Sequence, residues 1–186
     1  MPIILASASP RRQELLKSAG IEFIVHPADV VEARRSGETP KVFAERTAKE
    51  KALAVQSLFP EFQVLGADTV VLVDEEALGK PRDEEDAARM LRMLSGRRHL
   101  VTTGVCLVGV GVEDTRSETT VVEFSEITDG EIRDYIATGE PMDKAGAYAI
   151  QGIASRWIPG IEGDYSNVVG LPVFLVWRML REHEMR

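Results

Sequence analysis

Six residues near the start of the chain, Ser7-Ala8-Ser9-Pro10-Arg11-Arg12, combine the features that bind phosphate. Ser9-Pro10 reads as an N-cap followed by proline at the first helical position, so a helix begins there with its free N–H groups and positive dipole end exposed. Small Ser7, Ala8 and Ser9 let an anion approach the backbone, and an arginine fork offers paired hydrogen bonds to phosphate oxygens. Basic residues in a first turn oppose the helix dipole and cost stability unless an anion is bound, which weighs against a merely solvated Arg11-Arg12 pair. The pattern Gly-x-x-x-x-Gly-Lys-Ser/Thr is absent, so the segment is not a P-loop.

Asp68 interrupts the apolar run Val64–Val73. A buried carboxylate is expensive unless it is paired or holds a cation, the plainer alternative being a strand-end Asp that accepts backbone hydrogen bonds. Thr69, next along a regular strand, faces the opposite side. Glu32, in the loop after Val30-Val31, is a second candidate carboxylate; Mg²⁺ or Mn²⁺ in triphosphate chemistry is commonly held by one or two carboxylates plus substrate phosphates. Lys51 and Lys80, the latter in the tight turn Gly79-Lys80-Pro81, each offer one ammonium to a phosphate. Together these residues suit metal-assisted phosphoryl transfer to water, with Asp68 either positioning the metal or deprotonating the water. Ser95-Gly96-Arg97-Arg98-His99 is read as an ordinary basic helix end, Cys106 as a buried strand residue, and His26 and His183 are given no partner and no role.

The elements that must carry these residues follow from periodicity. Residues 2–8 predict a short strand, and the helix after it stops at Gly20 behind the stripe Leu15, Leu16, Ala19. A helix from Thr39-Pro40 buries Ala44, Ala48, Ala52 and Val55, and another from Asp83 to Gly96 buries Ala87, Met90, Leu91 and Leu94. Val64–Val73 reads as a strand buried on both faces. Residues 99–108 and 115–124 pair through Gly109-Val110-Gly111, and Thr128 with Glu131 forms a capping box for a helix that buries Ile132, Tyr135 and Ile136. Residues 144–150 predict a further strand, and Pro172 opens a last helix with Val173, Val176, Trp177 and Leu180 on its core side. Alternating strands and helices with one hairpin make an α/β fold, a mixed sheet with flanking helices.

A chain of 186 residues with 44% hydrophobic content and no linker or repeat predicts one domain over 1–186. Its 22 basic against 30 acidic residues give a net charge of −8, which argues against a nucleic-acid or membrane-surface partner. Residues 1–9 have no basic region ahead of their short apolar run and no segment is a membrane span, so the expected compartment is the cytoplasm.

Six motifs in order then resemble the Maf (septum formation) proteins. They are Ser7 to Leu16, Gly66-Ala67-Asp68-Thr69-Val70, Gly79-Lys80-Pro81, Ser95-Gly96, Asp143 to Gly152 and Ser166-Asn167-Val168-Val169-Gly170-Leu171-Pro172, and they span almost the whole chain. The resemblance implies an inosine-triphosphate-pyrophosphatase-like fold with two lobes around a central cleft and a homodimer. It implies hydrolysis of a nucleoside triphosphate to monophosphate and pyrophosphate with a divalent metal cation. By the same resemblance Asp68 is the proton acceptor, Ser7, Arg12, Glu32, Lys51 and Lys80 are site residues, and Arg11, Thr69 and Gln151 mark the subgroup acting on dTTP and UTP, modified pyrimidine nucleotides among them. Val31 stands where relatives often carry a second acid. The amide of Gln151 suits a pyrimidine, since it can donate to a ring carbonyl and accept from the ring N–H. A different class of reading, a nucleotide-binding regulator of septum formation, is tilted against by the acid Asp68, which a pure binder does not need. A general hydrolase for modified bases is separated by a nucleotide panel.

Overall fold

In the computed structural model, which describes residues 2–184, the elements in chain order are β1 (Ile3–Leu5), α1 (Pro10–Ser18), β2 (Phe23–Val25), α2 (Pro40–Gln56), β3 (Val64–Val73), β4 (Glu76–Leu78) and α3 (Glu84–Leu94). They continue with β5 (Arg98–Gly109), β6 (Val112–Glu123), α4 (Asp129–Ala137), β7 (Gly160–Glu162), α5 (Tyr165–Val169) and α6 (Val173–Glu184). The strand order is β2-β1-β3-β5-β6-β7, with β4 paired to β3. β1 runs parallel to β2 and β3, while β4 is antiparallel to β3 and β7 to β6, so the sheet is mixed as expected. The chain divides into two compact units, one of Met1–Thr69, Thr103–Glu118 and Gly170–Arg186, the other of Val70–Thr102 and Thr119–Val169.

In the first unit the strands are apolar on both faces because both are covered. Ile3, Leu5, Leu65 and Ala67 pack with Leu16 of α1 and with Leu175, Val176 and Met179 of α6. Ile4, Ala6 and Val64 pack with Ala48, Ala52 and Val55 of α2, the predicted helix stripe. Cys106, on β5, is buried with this second group, and burial raises its thiol pKa to about 11, far from a nucleophile's range.

In the second unit Ala87, Met90, Leu91 and Leu94 of α3 meet Ile132, Tyr135 and Ile136 of α4 and the buried Trp157. The Thr128–Glu131 capping box forms as predicted. Residues 144–150 do not form the predicted strand. A short 3₁₀ turn, Ala145–Ala147, occupies the start of this stretch just after another at Glu140–Asp143, and Gly146 and Ala147 have φ of 71° and 59°. A left-handed pair cannot continue an extended strand. The segment is apolar because Ala147, Tyr148, Ala149 and Ile150 enter the core without a ladder; the Ala149 amide donates to Tyr135 Oη instead.

The expectation for Trp177 is also corrected. The buried stripe of α6 is Leu175, Val176, Met179 and Leu180, and Trp177 is 46% exposed, its ring stacked on exposed Phe174 with centroids 6.2 Å apart. A helix stripe read from apolar identity alone was rotated by about one position, since both aromatic residues lie off the face that packs.

Candidate active site

Two glycines bring α2 onto the sheet of the first unit. A Cβ on Gly66 of β3 would stand 2.1 Å from the Ala48 carbonyl oxygen and 2.8 Å from the Ala52 amide, and one on Gly104 of β5 would stand 2.4 Å from the Ala44 carbonyl. Neither distance admits a side chain, so the helix backbone rests directly on the strands. Lys51, between Ala48 and Ala52, therefore reaches Asp68, two residues beyond Gly66. Its Nζ donates to Asp68 Oδ1 at 2.8 Å and lies 2.7 Å from Glu32 Oε1. Lys51 is 7% exposed and Asp68 6%, whereas Glu32 reaches in from the exposed loop before α2. Burial raises the Asp68 pKa above the ordinary aspartate value; Lys51 and Arg12 oppose the rise and the like charge of Glu32 adds to it.

On the opposite face of β3, Arg12 is held in place. Its Nε donates to the Gly170 carbonyl at 2.8 Å, Nη1 to Ser7 Oγ and the Ala67 carbonyl at 3.0 Å each, and Nη2 to Thr69 Oγ1 at 3.2 Å. Thr69 Oγ1 lies 2.9 Å from Thr103 Oγ1, a fully buried hydroxyl on β5. Asp68 and Thr69 thus point to opposite faces, as strand alternation requires. Burial lowers the Arg12 pKa against the upward pull of Asp68 and Glu32, and the neighbouring Arg11 lowers it further. With most of its fork bonded to the protein, Arg12 presents a fixed positive charge more than a free bidentate clamp.

The start of α1 differs from the starts of α2, α3 and α4. Thr39, Asp83 and Thr128 each cap their helices by accepting a backbone N–H, but Ser9 makes no side-chain cap. Ser7 Oγ instead accepts from the Ser9 amide at 3.3 Å while taking Arg12 Nη1. An uncapped helix start with two arginines in its first turn is an arrangement that an anion would stabilise.

Lys80 and Gln151 belong to the second unit. Lys80 is exposed just after β4, in a turn tied down by the Gly146 amide, which donates to the Gly79 carbonyl at 3.0 Å. Gln151 is exposed ahead of Gly152, and Glu140 holds this loop, accepting from Tyr135 Oη at 2.8 Å and from the Ile153 amide at 3.0 Å. A Cβ on Gly152 would lie 2.3 Å from the Glu140 carboxylate, so a side chain there would displace Glu140 from this position. His183, given no partner from sequence, bonds Asp114 at 2.9 Å. Sequence reasoning missed Gly66, Thr103 and the carbonyls of Ala67 and Gly170; a glycine inside a β-branched strand was the one available signal.

Asp68 and Glu32 converge on a single ammonium, and two carboxylates that share one cation fit a Mg²⁺ or Mn²⁺ that takes its other ligands from phosphates and water. Among the described residues no group of three or more His, Cys, Asp or Glu gathers to form a metal cage.

A family model described as Maf-like protein matches residues 2–183. A protein of Koribacter versatilis (strain Ellin345) named dTTP/UTP pyrophosphatase is 61% identical over 181 residues, 97% of this chain and 94% of its own length. Proteins of the same name from Symbiobacterium thermophilum (strain DSM 24528 / JCM 14929 / IAM 14863 / T) and Thermococcus gammatolerans (strain DSM 15229 / JCM 11827 / EJ3) are each 51% identical. They cover 97% and 95% of this chain and 93% and 94% of their own. The solved Staphylococcus aureus Ham1 protein matches 98% of this chain and 100% of its own with a TM-score of 0.53 at 16% identity, a likeness of fold.

Proposed function

The chain belongs to the Maf-like protein family, and from that premise we propose that it hydrolyses dTTP and UTP to the monophosphate and pyrophosphate. The observation that carries the reading is the buried Asp68 beside a positive cradle: Lys51 at 2.8 Å, fixed Arg12, and the uncapped start of α1. A binder of nucleotides has use for the cradle; the buried acid beside it favours a catalyst.

The developing charge on departing pyrophosphate is opposed by positive groups placed before reaction, which is the main catalytic resource in phosphoryl transfer. Lys51 and the α1 amides supply it as contacts to phosphate oxygens, and Arg12 as a near-immobile charge. Lys80 is assigned to the phosphates, and Arg11, Thr69 and Gln151 to substrate selection. Asp68 and Glu32 would hold a divalent cation, Mg²⁺ or Mn²⁺, which when bound supplies charge neutralisation for the phosphates. The alternative role for Asp68, proton acceptor, is favoured by the raised pKa of the metal-free carboxylate; with a metal bound it would act through the metal instead.

We further infer a cytoplasmic homodimer that uses neither nucleic acid nor membrane. The net charge of −8 supports the absence of a nucleic-acid or acidic-membrane partner, and no helix among the described residues is long and apolar enough to cross a membrane. The deciding experiment is a panel of canonical and modified nucleoside triphosphates with added Mg²⁺ or Mn²⁺, scored by pyrophosphate release. Preference for dTTP and UTP is expected. No release from any triphosphate would overturn the proposal in favour of a nucleotide-binding regulator.

A further inference from the structure

Lys51 holds both candidate metal-binding carboxylates at once, with Nζ 2.8 Å from Asp68 Oδ1 and 2.7 Å from Glu32 Oε1. We propose that Lys51 is a built-in counter-cation that keeps the divalent metal out of the nucleotide-free protein and gives up the carboxylates when a triphosphate arrives. The inference rests on the metal assignment made above for Asp68 and Glu32.

A divalent ion held by Asp68 and Glu32 would compete with the ammonium for the same two carboxylates, because both already point at Lys51 Nζ. A cation of charge +2 and an ammonium placed together repel strongly, most on the side of Asp68, whose side chain is 8% exposed, and less on the side of Glu32, which is 45% exposed. Mg²⁺ also sheds its water reluctantly and gains less from a pair of carboxylates that one ammonium already half neutralises. Lysine is suited to leaving: its ammonium is a point charge on a flexible four-carbon stem, unlike the fixed fork of Arg12. Triphosphate oxygens offer that ammonium a new set of acceptors. The same movement that lets Lys51 grip substrate therefore uncovers Asp68 and Glu32, and metal and nucleotide bind with positive coupling, each strengthening the other. The uncoupled state, a metal ion seated without substrate, is disfavoured.

The test is metal binding in the absence of turnover. Mn²⁺ affinity is measured by electron paramagnetic resonance of free Mn²⁺ for the wild-type protein and for Lys51→Met, with and without α,β-methylene-dTTP. The expected result is at least a tenfold tighter Mn²⁺ site in nucleotide-free Lys51→Met than in wild type, and a nucleotide-induced gain that is large in wild type and small in the variant. Equal Mn²⁺ affinity of the two nucleotide-free proteins would overturn the inference while leaving the hydrolase reading and its metal intact. No Mn²⁺ bound in either protein even with the analogue would overturn both the inference and the metal assignment. Because Lys51→Met leaves Asp68 without its partner, a measurement on the wild-type fold stands beside it. The Lys51 ¹³Cε resonance, assigned through Lys51→Arg, should stay unmoved by Mg²⁺ alone and shift when Mg²⁺ and analogue are added together. A shift with Mg²⁺ alone would overturn the proposal.

Discussion

The guanidinium of Arg12 and the carbonyl of Gly170, 158 positions apart in the chain, are joined by a 2.8 Å hydrogen bond. The same side chain reaches Ala67 on β3 and Ser7 ahead of α1, so it ties three separate segments of the first unit together. Arg12→Ala should then damage stability as well as activity: each charged hydrogen bond lost is worth roughly 1.5–3 kcal/mol, and kcat/KM should fall by tens to thousands of fold. Arg12→Lys should not restore either, because a point charge cannot serve carbonyls in different directions. Exposed Lys80 makes the contrast, since Lys80→Ala should lower kcat/KM with an unchanged melting temperature. Melting curves and pyrophosphate release on the three variants decide, and near-wild-type kinetics in Arg12→Ala and Lys80→Ala would remove both from the reaction.

Asp68→Asn keeps the shape of the side chain and an oxygen for Lys51 to donate to, but removes the charge. Turnover should collapse while the circular dichroism and melting transition remain those of a folded protein. Retained pyrophosphate release with Mg²⁺ or Mn²⁺ present would show that Asp68 does not take part in catalysis.

Gly66→Ala touches no candidate ligand. Its methyl would meet the Ala48 carbonyl at 2.1 Å, so α2 must retreat at a cost of about 1–3 kcal/mol or more, and Lys51 retreats with it from Asp68. Both the denaturation midpoint and kcat should drop. An unchanged midpoint would refute the tight seam between α2 and β3.

His99 in the second unit is 3% exposed, bonds Tyr148 Oη at 2.8 Å, and is held by burial at a pKa of about 4 against 6.5 when unfolded. The unfolded chain therefore takes up a proton first as pH falls. Stability from this residue is complete above 6.5 and is lost between 6.5 and about 4, amounting to roughly 3 kcal/mol. Urea titrations from neutral pH downward should show the stability gap between wild type and His99→Gln closing or inverting over that window. A gap independent of pH would refute the depressed pKa.

The proposed role of Gln151 in base choice is open to a direct test. With a pyrimidine-reading amide, dTTP and UTP should exceed ATP and GTP in kcat/KM by a wide margin, because a wrong base leaves a polar group unpaired. Gln151→Glu should weaken dTTP hydrolysis, since a carboxylate cannot donate to a ring carbonyl. The informative number is the dTTP to GTP ratio in each protein; a ratio near one in the wild type, or no change in the variant, would show that Gln151 does not read the base.

What was legible in the residues is what local chemistry decides. The alanine stripe of α2, the limits Val64–Val73 of β3 and the Thr128–Glu131 box each depend on neighbours within a few positions. Asp68 stood out because a carboxylate in an apolar strand needs a reason, and Lys51 is that partner 17 positions away. Thr103 carried no such signal, as a threonine in a strand is ordinary and only its meeting with Thr69 gives it a role. The segment 144–150 misled because burial and strand pairing both select apolar residues, and only the left-handed Gly146-Ala147 pair distinguishes them. Trp177 misled for a related reason: its size suggested core, while packing chose the smaller side chains beside it.

The contrast between the two tryptophans has a spectroscopic use. Trp157 is buried in the second unit and Trp177 is half-open to solvent in the first, and the chain has no third. Each unit thus carries one intrinsic fluorophore of its own colour, blue-shifted for Trp157 and red-shifted, iodide-quenchable for Trp177. A Trp177→Phe protein reports on one unit and a Trp157→Phe protein on the other, so their unfolding midpoints reveal whether the halves melt together or in turn.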